Sequence, residues 1–377
     1  MSTDTPAEST IQRDFGPGMR VVSMASSGVT EFFITADLRD RDIAQVGRDV
    51  MSIIAEKGAA IVTQVVFAPM GPANESVDAL SDALGDRDWP LTWVDSGHKK
   101  GSRLGGMHIH AVCGAEVRRI RLEGRVVGSV YQDDSTKFCC LGDLWTSEAD
   151  ASRTEQAAQT FDMIERAMEL SGMDFSNVVR TWLYLDELLE WYDPFNHVRD
   201  DFFRRRGVFD ALVPSSTGIS GANPAGAAMI AAAMGIQSLD GSDQAEMLPS
   251  PLQCPALEYG SSFSRAVAID QRGRTRVTVS GTASIEPGGD TVFLDDVPGQ
   301  IDLTMKVVAA ILAQRDMDFS DATRAIAYFK RAEYARDYEK YCADNGIPDM
   351  PTIITENDVC RHDLLFEIEL DTVSVTG

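Results

Sequence analysis

The sequence has few positive charges. Among 377 residues there are 34 Lys and Arg against 58 Asp and Glu, which gives a formal net charge of −24 at pH 7. Proteins that bind nucleic acid need a basic surface to displace counterions from the phosphates, and a strongly acidic chain repels a polyanion. We therefore expect no nucleic-acid partner. A small anionic substrate would need Arg or Lys placed locally in its pocket.

Long apolar runs and paired cysteines are also missing. No run of 18 apolar residues occurs, and residues 1–10 carry neither the basic nor the apolar region of a signal peptide. The six cysteines form no CxxC pair and show no spacing typical of a zinc site or a disulfide framework. We therefore expect a soluble, cytoplasmic protein with reduced thiols and no membrane contact.

What the sequence does contain is an internal repeat. The segment GMDFSNVVRTWLY at residues 172–184 recurs as DMDFSDATRAIAY at residues 316–328. In both copies a stretch with apolar residues at helical spacing precedes the repeat, and an apolar run suited to a buried strand ends it. A strand interrupted by glycine precedes each helix, and a fainter third version occurs at residues 31–37. Three units therefore fit the length.

We predict five segments along the chain. They are a flexible arm at residues 1–18, unit A at 19–122, unit B at 123–240, a linker at 241–253 and unit C at 254–377. Within each unit, two helical stretches alternate with strands. This order predicts an α+β fold with the helices on one face of a mixed sheet, so that the other face must be covered by a neighbouring unit.

The repeat block, the strand at 276–281 and the closing segment LLFEIE at 364–369 resemble the Rid (YjgF) superfamily. Rid proteins are trimers whose small-molecule sites lie between subunits. The resemblance therefore implies a Rid fold repeated three times, forming a pseudo-trimer within one chain. Since one chain would already supply all three units, we expect a monomer or weak dimer in solution.

A narrower resemblance covers most of units B and C. The segments YGSSFSRA (259–266), SGTAS (280–284) and VCRHDLLFEIE (359–369) are similar to the chorismatases. These enzymes of secondary metabolism cleave the enolpyruvyl ether of chorismate without cofactor or metal. They release pyruvate and either a hydroxybenzoate or a dihydroxycyclohexadiene carboxylate. The resemblance implies a hydrolase or lyase with a small carboxylated substrate and no cofactor.

Two glutamates lie in the predicted closing strand of unit C. Because side chains alternate along a strand, Glu367 and Glu369 face one side while Phe366, Ile368 and Leu370 face the other. From the residues alone, a solvated acidic face is the simpler interpretation. The resemblance instead implies that Glu367 is the acid that protonates the enolpyruvyl group. Burial and the neighbouring Glu369 would both raise its pKa.

The corresponding strands of the other two units differ. In unit B the segment 227–233 has no ionisable group, and in unit A it carries His108 and His110. The two histidines share a face, but no third ligand with suitable spacing accompanies them, so we predict no metal site. The three clefts between units are thus chemically unequal, and we expect one of them to hold the site.

The resemblance implies further substrate-binding residues. Arg180, with Lys340 or Arg361, would bind the substrate carboxylate, while Cys360 and Ser264 would shape the ring pocket. The complete predicted binding set is Arg180, Tyr184, Tyr259, Ser264, Lys340, Cys360 and Arg361. Two positions depart from the chorismatase pattern: Leu183 replaces an amide residue, and Lys340 stands where an arginine is expected.

Alternative functions remain open at the level of sequence. The same scaffold could carry a different biosynthetic transformation, or the protein could bind a metabolite without catalysis. An imine or enamine deaminase of Rid type is a further alternative. Such deaminases carry an arginine on the penultimate strand, where this chain has Ser215 in unit B and Thr352 in unit C.

Overall fold

The protein folds as three copies of one α+β unit in a computed structural model that describes residues 9–97, 102–148 and 150–376. Each copy is a six-stranded mixed sheet with two α-helices. No helix in these ranges is long and apolar enough to cross a membrane.

The elements follow the same order in each unit. Unit A contains β1 (Thr10–Gly16), β2 (Met19–Ser26), β3 (Val29–Asp37), α1 (Ile43–Lys57), β4 (Ala60–Phe67), α2 (Glu75–Leu84), β5 (Leu91–Val94) and β6 (Gly106–Cys113). Unit B contains β7 (Arg118–Leu122), β8 (Arg125–Gln132), β9 (Thr136–Leu144), α3 (Arg153–Ser171), β10 (Val178–Leu185), α4 (Leu188–Arg205), β11 (Ser215–Ser220) and β12 (Met229–Ser238). Unit C contains β13 (Gln244–Leu248), β14 (Ala266–Gln271), β15 (Arg274–Ala283), α5 (Val297–Leu312), β16 (Ala322–Phe329), α6 (Ala335–Asp344), β17 (Thr352–Glu356) and β18 (Phe366–Val375).

The three sheets have one topology. Their strand orders are β1-β2-β3-β6-β4-β5, β7-β8-β9-β12-β10-β11 and β13-β14-β15-β18-β16-β17. The last pair in each order is parallel and the other pairs are antiparallel. Each unit has its own apolar core between helices and sheet, and two further apolar clusters join side chains from all three units. The uncovered sheet faces thus pack against one another.

The repeated block forms the same capped turn in units B and C. Asp174 and Asp318 each cap a short 3₁₀ helix through a capping box, in which the side chain accepts from the backbone of the turn. The following Phe175 and Phe319 are buried in the cores of units B and C. The block therefore connects α3 to β10 and α5 to β16 in the same way, which explains why its sequence recurs.

The first strand of each sheet lies outside the segment predicted for its unit. β1 falls in the predicted flexible arm, whose residues 1–8 lie outside the described chain, β7 in the end of unit A, and β13 in the predicted linker. All three are edge strands with mostly exposed or half-buried residues. β1 and β13 lack the regular apolar alternation by which a half-buried strand is recognised, so their sequences are typical of loops, whereas β7 alternates through Ile120 and Leu122.

Units B and C contain a β-bulge that unit A lacks. The pairing of β9 with β12 shifts between Ala231 and Ala233, and that of β15 with β18 shifts between Val279 and Thr282. The pairing of β3 with β6 is continuous. The extra residue in unit C brings Gly281 opposite the closing strand. Bulges of this kind re-aim side chains and are frequent beside active sites.

Candidate active site

A cavity of about 230 Å³ lies in the cleft between units B and C. Unit B contributes residues from α4, where Trp191 departs from helical dihedrals and Pro194 follows. Unit C contributes the segment before β14, the bulge of β15 and the start of β18. The lining residues are Tyr192, Asp193, Asn196, Gly260, Ser261, Phe263, Arg265, Gly281, Ala283, Ile285, Cys360, Arg361 and Glu367.

Among the described residues of the lining, Glu367 is the one carboxylate that is buried. It pairs with Tyr328 of β16 and Ala283 of β15, and only 4% of its surface is exposed. Within the described chain no residue hydrogen-bonds to its carboxyl group. Gly281 provides the space that this group occupies, because a Cβ atom at position 281 would lie 2.0 Å from Glu367 Oε1. The cavity is thus faced by a buried carboxyl group that has no hydrogen-bond partner among the described residues.

Burial raises the pKa of Glu367 to about 8, and the negative charge of Glu369 adds to the effect. The positive charges of Arg180 and Arg265 act in the opposite direction. Both conditions that would keep this carboxyl group protonated at neutral pH, burial and a neighbouring carboxylate, are therefore present. A protonated carboxyl group at pH 7 can act as a general acid.

Glu369 is fully buried behind the cavity and is held by three donors. Arg180 Nη2 lies 2.6 Å from its Oε2, and Arg324 Nη2 and Trp182 Nε1 lie 2.8 and 3.0 Å from its Oε1. Both guanidinium groups also lie over the Trp182 ring, at 4.9 and 4.8 Å from its centroid. These contacts hold the Glu369 charge in one place, two residues from Glu367 on the same face of β18.

Two arginines supply the positive charge of the cavity lining. Arg265 is buried and donates from Nε and Nη2 to the Cys254 carbonyl oxygen, at 3.0 and 2.7 Å. Arg361 donates from Nη1 to the Gly289 carbonyl oxygen at 2.8 Å. Each is thus anchored to a loop of unit C beside Glu367. Such a pair can bind an anionic group inside an otherwise acidic protein.

Cys360 faces the same cavity as a thiol. Burial, with a further contribution from the charge of Glu367, raises its pKa to about 12. The group is therefore not a thiolate at neutral pH, and a nucleophilic role is disfavoured. Cys360 instead contributes a small, soft wall to the cavity.

Glu367, Cys360 and Arg361 are the sequence-predicted residues that the structure brings together in this cavity. Arg180 lies outside the lining. It is completely buried and bonded to Glu369 and Thr217, while its Nε and Nη1 have no acceptor within the described chain. Thr217 also accepts from the Gly281 backbone N–H at 3.0 Å, so Arg180 supports the bulge from behind.

Three other predicted residues do not reach the lining. Tyr184 is buried and packs edge-on against Phe67 at 5.6 Å, near the junction of the three units. Ser264 is buried, but alternation directs its neighbours Phe263 and Arg265 into the cavity instead. Lys340 is exposed on α6 and pairs with Asp344.

Lys340 lies away from this cavity because the second helix of a unit borders the next cleft. The neighbouring Glu339 accepts a hydrogen bond from Arg39 of unit A at 2.6 Å, so α6 faces unit A. The cavity beside Glu367 is bordered by α4 of unit B. Tyr259 ends a short 3₁₀ helix (Ala256–Tyr259), and its side chain lies outside what the structure describes.

Some lining residues of both units were not predicted from the sequence. Tyr192 and Asn196 stand four residues apart in α4, a spacing that places two side chains on one helix face. Arg265 follows Ser264 directly. Because side chains alternate in extended backbone, Phe263 and Arg265 face the cavity while Ser264 does not. Since Tyr192 and Asn196 come from the unit preceding Glu367 in the chain, no motif local to unit C contains them.

The two histidines of unit A are hydrogen-bonded within the protein. His108 Nδ1 lies 2.8 Å from Thr35 Oγ1 and its Nε2 lies 3.0 Å from the Ala325 carbonyl oxygen. His110 Nε2 lies 3.1 Å from Glu31 Oε2. Burial and the nearby Arg324 lower the pKa of His108 to about 3. Among the described residues no group of three or more His, Cys, Asp or Glu is arranged to hold a metal ion.

The chain is similar to known proteins in sequence and in structure, although no family model matches it. It is 27% identical over 271 residues to a 3-hydroxybenzoate synthase of Streptomyces hygroscopicus, covering 64% of this chain and 75% of that protein. A crystal structure of chorismatase superposes with a TM-score of 0.62 at 18% identity, covering 83% of this chain and 92% of that one. A Rid family protein of Yersinia pestis, 20% identical, covers 34% of this chain and 98% of its own, with a TM-score of 0.30.

Both the fold class and the resemblance expected from the sequence are confirmed. The chain is an α+β pseudo-trimer of three similar six-stranded units with the fold of chorismatase, and its sequence is similar to that of a 3-hydroxybenzoate synthase.

Proposed function

We propose that this protein is a chorismatase-like enzyme that cleaves the enolpyruvyl ether of chorismate or a closely similar compound. The observation that carries the proposal is Glu367, a buried carboxyl group facing a cavity between two units, with no hydrogen-bond partner in the part of the chain that the structure describes. Its pKa of about 8 keeps it protonated at neutral pH. The products are pyruvate and either a hydroxybenzoate or a dihydroxycyclohexadiene carboxylate.

In the proposed reaction Glu367 donates its proton to the terminal methylene carbon of the enolpyruvyl group. The resulting oxocarbenium ion is attacked at the ether-bearing carbon by water, and release of a hydroxybenzoate requires the ring to lose one further molecule of water. For attack by water, the Glu367 carboxylate takes back the proton that the water loses, and the hemiketal collapses to pyruvate with cleavage of the C–O bond. The ring leaves as an alcohol, and the acid is restored for the next turnover.

Arg265 and Arg361 are the proposed binding groups for the substrate carboxylates, because both line the cavity. Arg180 does not touch the substrate; it fixes Glu369 and stabilises the negative charge that Glu367 acquires when it donates its proton. Cys360, Phe263 and Tyr192 enclose the ring. Forked guanidinium donors suit planar carboxylates better than an ammonium group does.

The two departures from the chorismatase pattern carry little weight against this substrate. Leu183 is buried in the apolar core of unit B and does not line the cavity. Lys340 is exposed on α6, on the side of unit A. Neither replacement changes the surface that a substrate beside Glu367 would contact. The alternative of a different transformation therefore has no support from these positions.

The proposal is tested by incubating the purified protein with chorismate and following pyruvate by a coupled assay. We expect turnover in the wild type and a loss of about 10²-fold or more in Glu367→Gln, which keeps the shape of the side chain but cannot supply the proton. Lys340→Ala serves as matched control and should retain full turnover. No pyruvate from the wild type, or full turnover in Glu367→Gln, would contradict the proposal.

A deaminase of Rid type is less well supported. Ser215, at one position where such enzymes carry an arginine, is fully buried and donates to the Val179 carbonyl oxygen at 3.1 Å. Thr352, at the other, pairs with Ala325 in the sheet. Rapid hydrolysis of a 2-aminoacrylate-type imine, with no release of pyruvate from chorismate, would favour it.

A further inference from the structure

A second cavity, of about 100 Å³, lies where the three units meet, and we call it the central cavity. It shares no lining residue with the cavity beside Glu367. Unit A contributes Phe33 and His110, unit B contributes Tyr131, Phe138 and Trp182, and unit C contributes Arg276, Arg324 and Asp371. None of these residues is used directly by the proposed reaction, apart from the contacts of Trp182 and Arg324 with Glu369.

Aromatic rings dominate the wall of the central cavity. Phe33 stacks on His110 with ring centroids 4.8 Å apart, and Tyr131 stacks on Phe138 at the same separation. Trp182 closes another side, and the small side chains of Ala232 and Ala233 leave room between the rings. Flat apolar surfaces of this kind favour contact with another ring, and the volume suits a single six-membered ring.

The charged groups in the wall are already neutralised by one another. Arg276 pairs with Glu31, which also accepts from Tyr131 at 2.9 Å. Arg324 pairs with Asp371 at 3.0 Å and with Glu369 at 2.8 Å. An ionic ligand would have to break one of these pairs to gain a partner of opposite charge, at the cost of leaving a buried charge alone. The wall therefore discriminates against ions.

One acceptor in the wall lacks a donor. Asp371 Oδ2 binds Arg324, whereas Oδ1 has no hydrogen-bond partner within the described chain. A ligand with a hydroxyl group would supply that donor to Oδ1 while Oδ2 keeps its bond to Arg324, and unpaired buried acceptors are costly enough to favour this.

We propose that the central cavity is a second binding site, for a small uncharged aromatic molecule that carries a hydroxyl group. The aromatic wall takes the ring, the neutralised charges exclude ions, and Asp371 takes the hydroxyl hydrogen. Trp182 and Arg324 belong both to this wall and to the set of donors that hold Glu369. An occupant therefore contacts the groups that fix the charge beside Glu367.

The experiment uses the whole protein and phenol as the probe, with the melting temperature as readout, because a ligand that binds the native state stabilises it. Toluene tests the hydroxyl group and 3-hydroxybenzoate tests the charge. Ala232→Leu fills the central cavity, and Ala283→Leu, its matched control, fills the cavity beside Glu367.

We expect phenol to stabilise the wild type and Ala283→Leu equally, and to bind Ala232→Leu at least tenfold more weakly. Toluene should bind the wild type, and 3-hydroxybenzoate should bind Ala283→Leu, at least tenfold more weakly than phenol does. Equal phenol binding by Ala232→Leu would place the ligand elsewhere and overturn the proposal. So would 3-hydroxybenzoate binding as tightly as phenol in wild type and Ala283→Leu. If Ala232→Leu does not fold, wild-type crystals soaked in phenol decide: a ring in the central cavity supports the site, and its absence there overturns it.

Discussion

The three clefts between units have the same fold, but the residue at one corresponding strand position is different in each cleft. Glu367 pairs with Tyr328 in unit C, Ile230 pairs with Tyr184 in unit B, and Gly106 pairs with Phe67 in unit A. A single strand position thus holds a carboxyl group, an aliphatic side chain or no side chain. Only in the B–C cleft does the sheet present an acid at this place.

The three clefts also differ in the room that neighbouring side chains leave at this position. In the C–A cleft, Ile353 reaches to within 3.0 Å of where a Cβ at Gly106 would lie, so an aliphatic side chain fills the place of the acid. In the A–B cleft the bulge position that corresponds to Gly281 is Asp143. It accepts from Trp145 Nε1 at 3.0 Å, and Arg125 stacks on the Trp145 ring at 3.8 Å. The three units therefore share the same sheets, while the side chains that line each cleft determine whether it holds an acid with free space beside it.

The largest effect is expected from substituting the bulge residue beside Glu367. Gly281→Ala places a methyl group 2.0 Å from Glu367 Oε1 and 3.1 Å from Thr217 Cγ2, so the carboxyl group must move. A displacement of about 1 Å at a reacting group costs about 10²-fold in rate, and we expect a loss of that size in pyruvate release.

The matched change in the A–B cleft is Asp143→Gly. Asp143 has a φ of 54°, a left-handed conformation that glycine adopts without strain, so this variant should fold. Its turnover should stay within about twofold of wild type if only the B–C cleft is active. A larger loss in Asp143→Gly than in Gly281→Ala would show that the clefts are ranked wrongly.

Glu369 offers the next test, through the pH dependence of turnover. Burial and Glu369 raise the pKa of Glu367, and a general acid works only below its pKa. Glu369→Gln removes the repelling charge and leaves Arg180 and Arg324 with one fewer anion. The pKa of Glu367 should fall, and the decline of kcat/KM at high pH should move at least about one pH unit lower.

Asp371→Asn is the control for that shift. Asp371 also pairs with Arg324, yet it is not among the groups that shift the pKa of Glu367. Its pH profile should stay close to that of the wild type. Equal shifts in the two variants would mean that disturbance of Arg324, rather than the charge of Glu369, determines the change in the pKa of Glu367.

The fold was predictable because its signals are local. The Asp174 and Asp318 capping boxes, with the buried Phe175 and Phe319, are written twice in the sequence. Within the site, Cys360, Arg361 and Glu367 were recognisable since they lie within eight residues of one another in the chain. Tyr192 and Asn196 were not, because the cleft is formed by packing two units together. The exposed edge strand β13 shows no apolar alternation, so its sequence predicts a linker where the structure has a strand.

A smaller effect, on KM, separates the cavity arginines from Lys340. Arg265 lines the cavity and is anchored by two hydrogen bonds to the Cys254 carbonyl oxygen. In Arg265→Lys the forked donors become a single ammonium group, and we expect KM for chorismate to rise about tenfold with a smaller change in kcat. Lys340→Ala, which removes an exposed charge on α6, should leave KM unchanged. A rise in KM for Lys340→Ala would restore α6 as part of the site.

The smallest expected effect is on stability, and it needs no substrate. Because the pKa of Glu367 is raised in the folded state, the native protein binds this proton more tightly than the unfolded chain does, and its contribution to stability falls as pH rises from the unfolded pKa of about 4.5 to about 8. Glu367→Gln has no such proton to lose. Relative to wild type, Glu367→Gln should therefore gain stability between pH 5 and pH 9, by several degrees in Tm, while Lys340→Ala shows no such trend. A Tm difference between Glu367→Gln and wild type that is constant over this range would mean that Glu367 is ionised in the folded protein at neutral pH, and the B–C cleft would then lack the acid that distinguishes it from the other two.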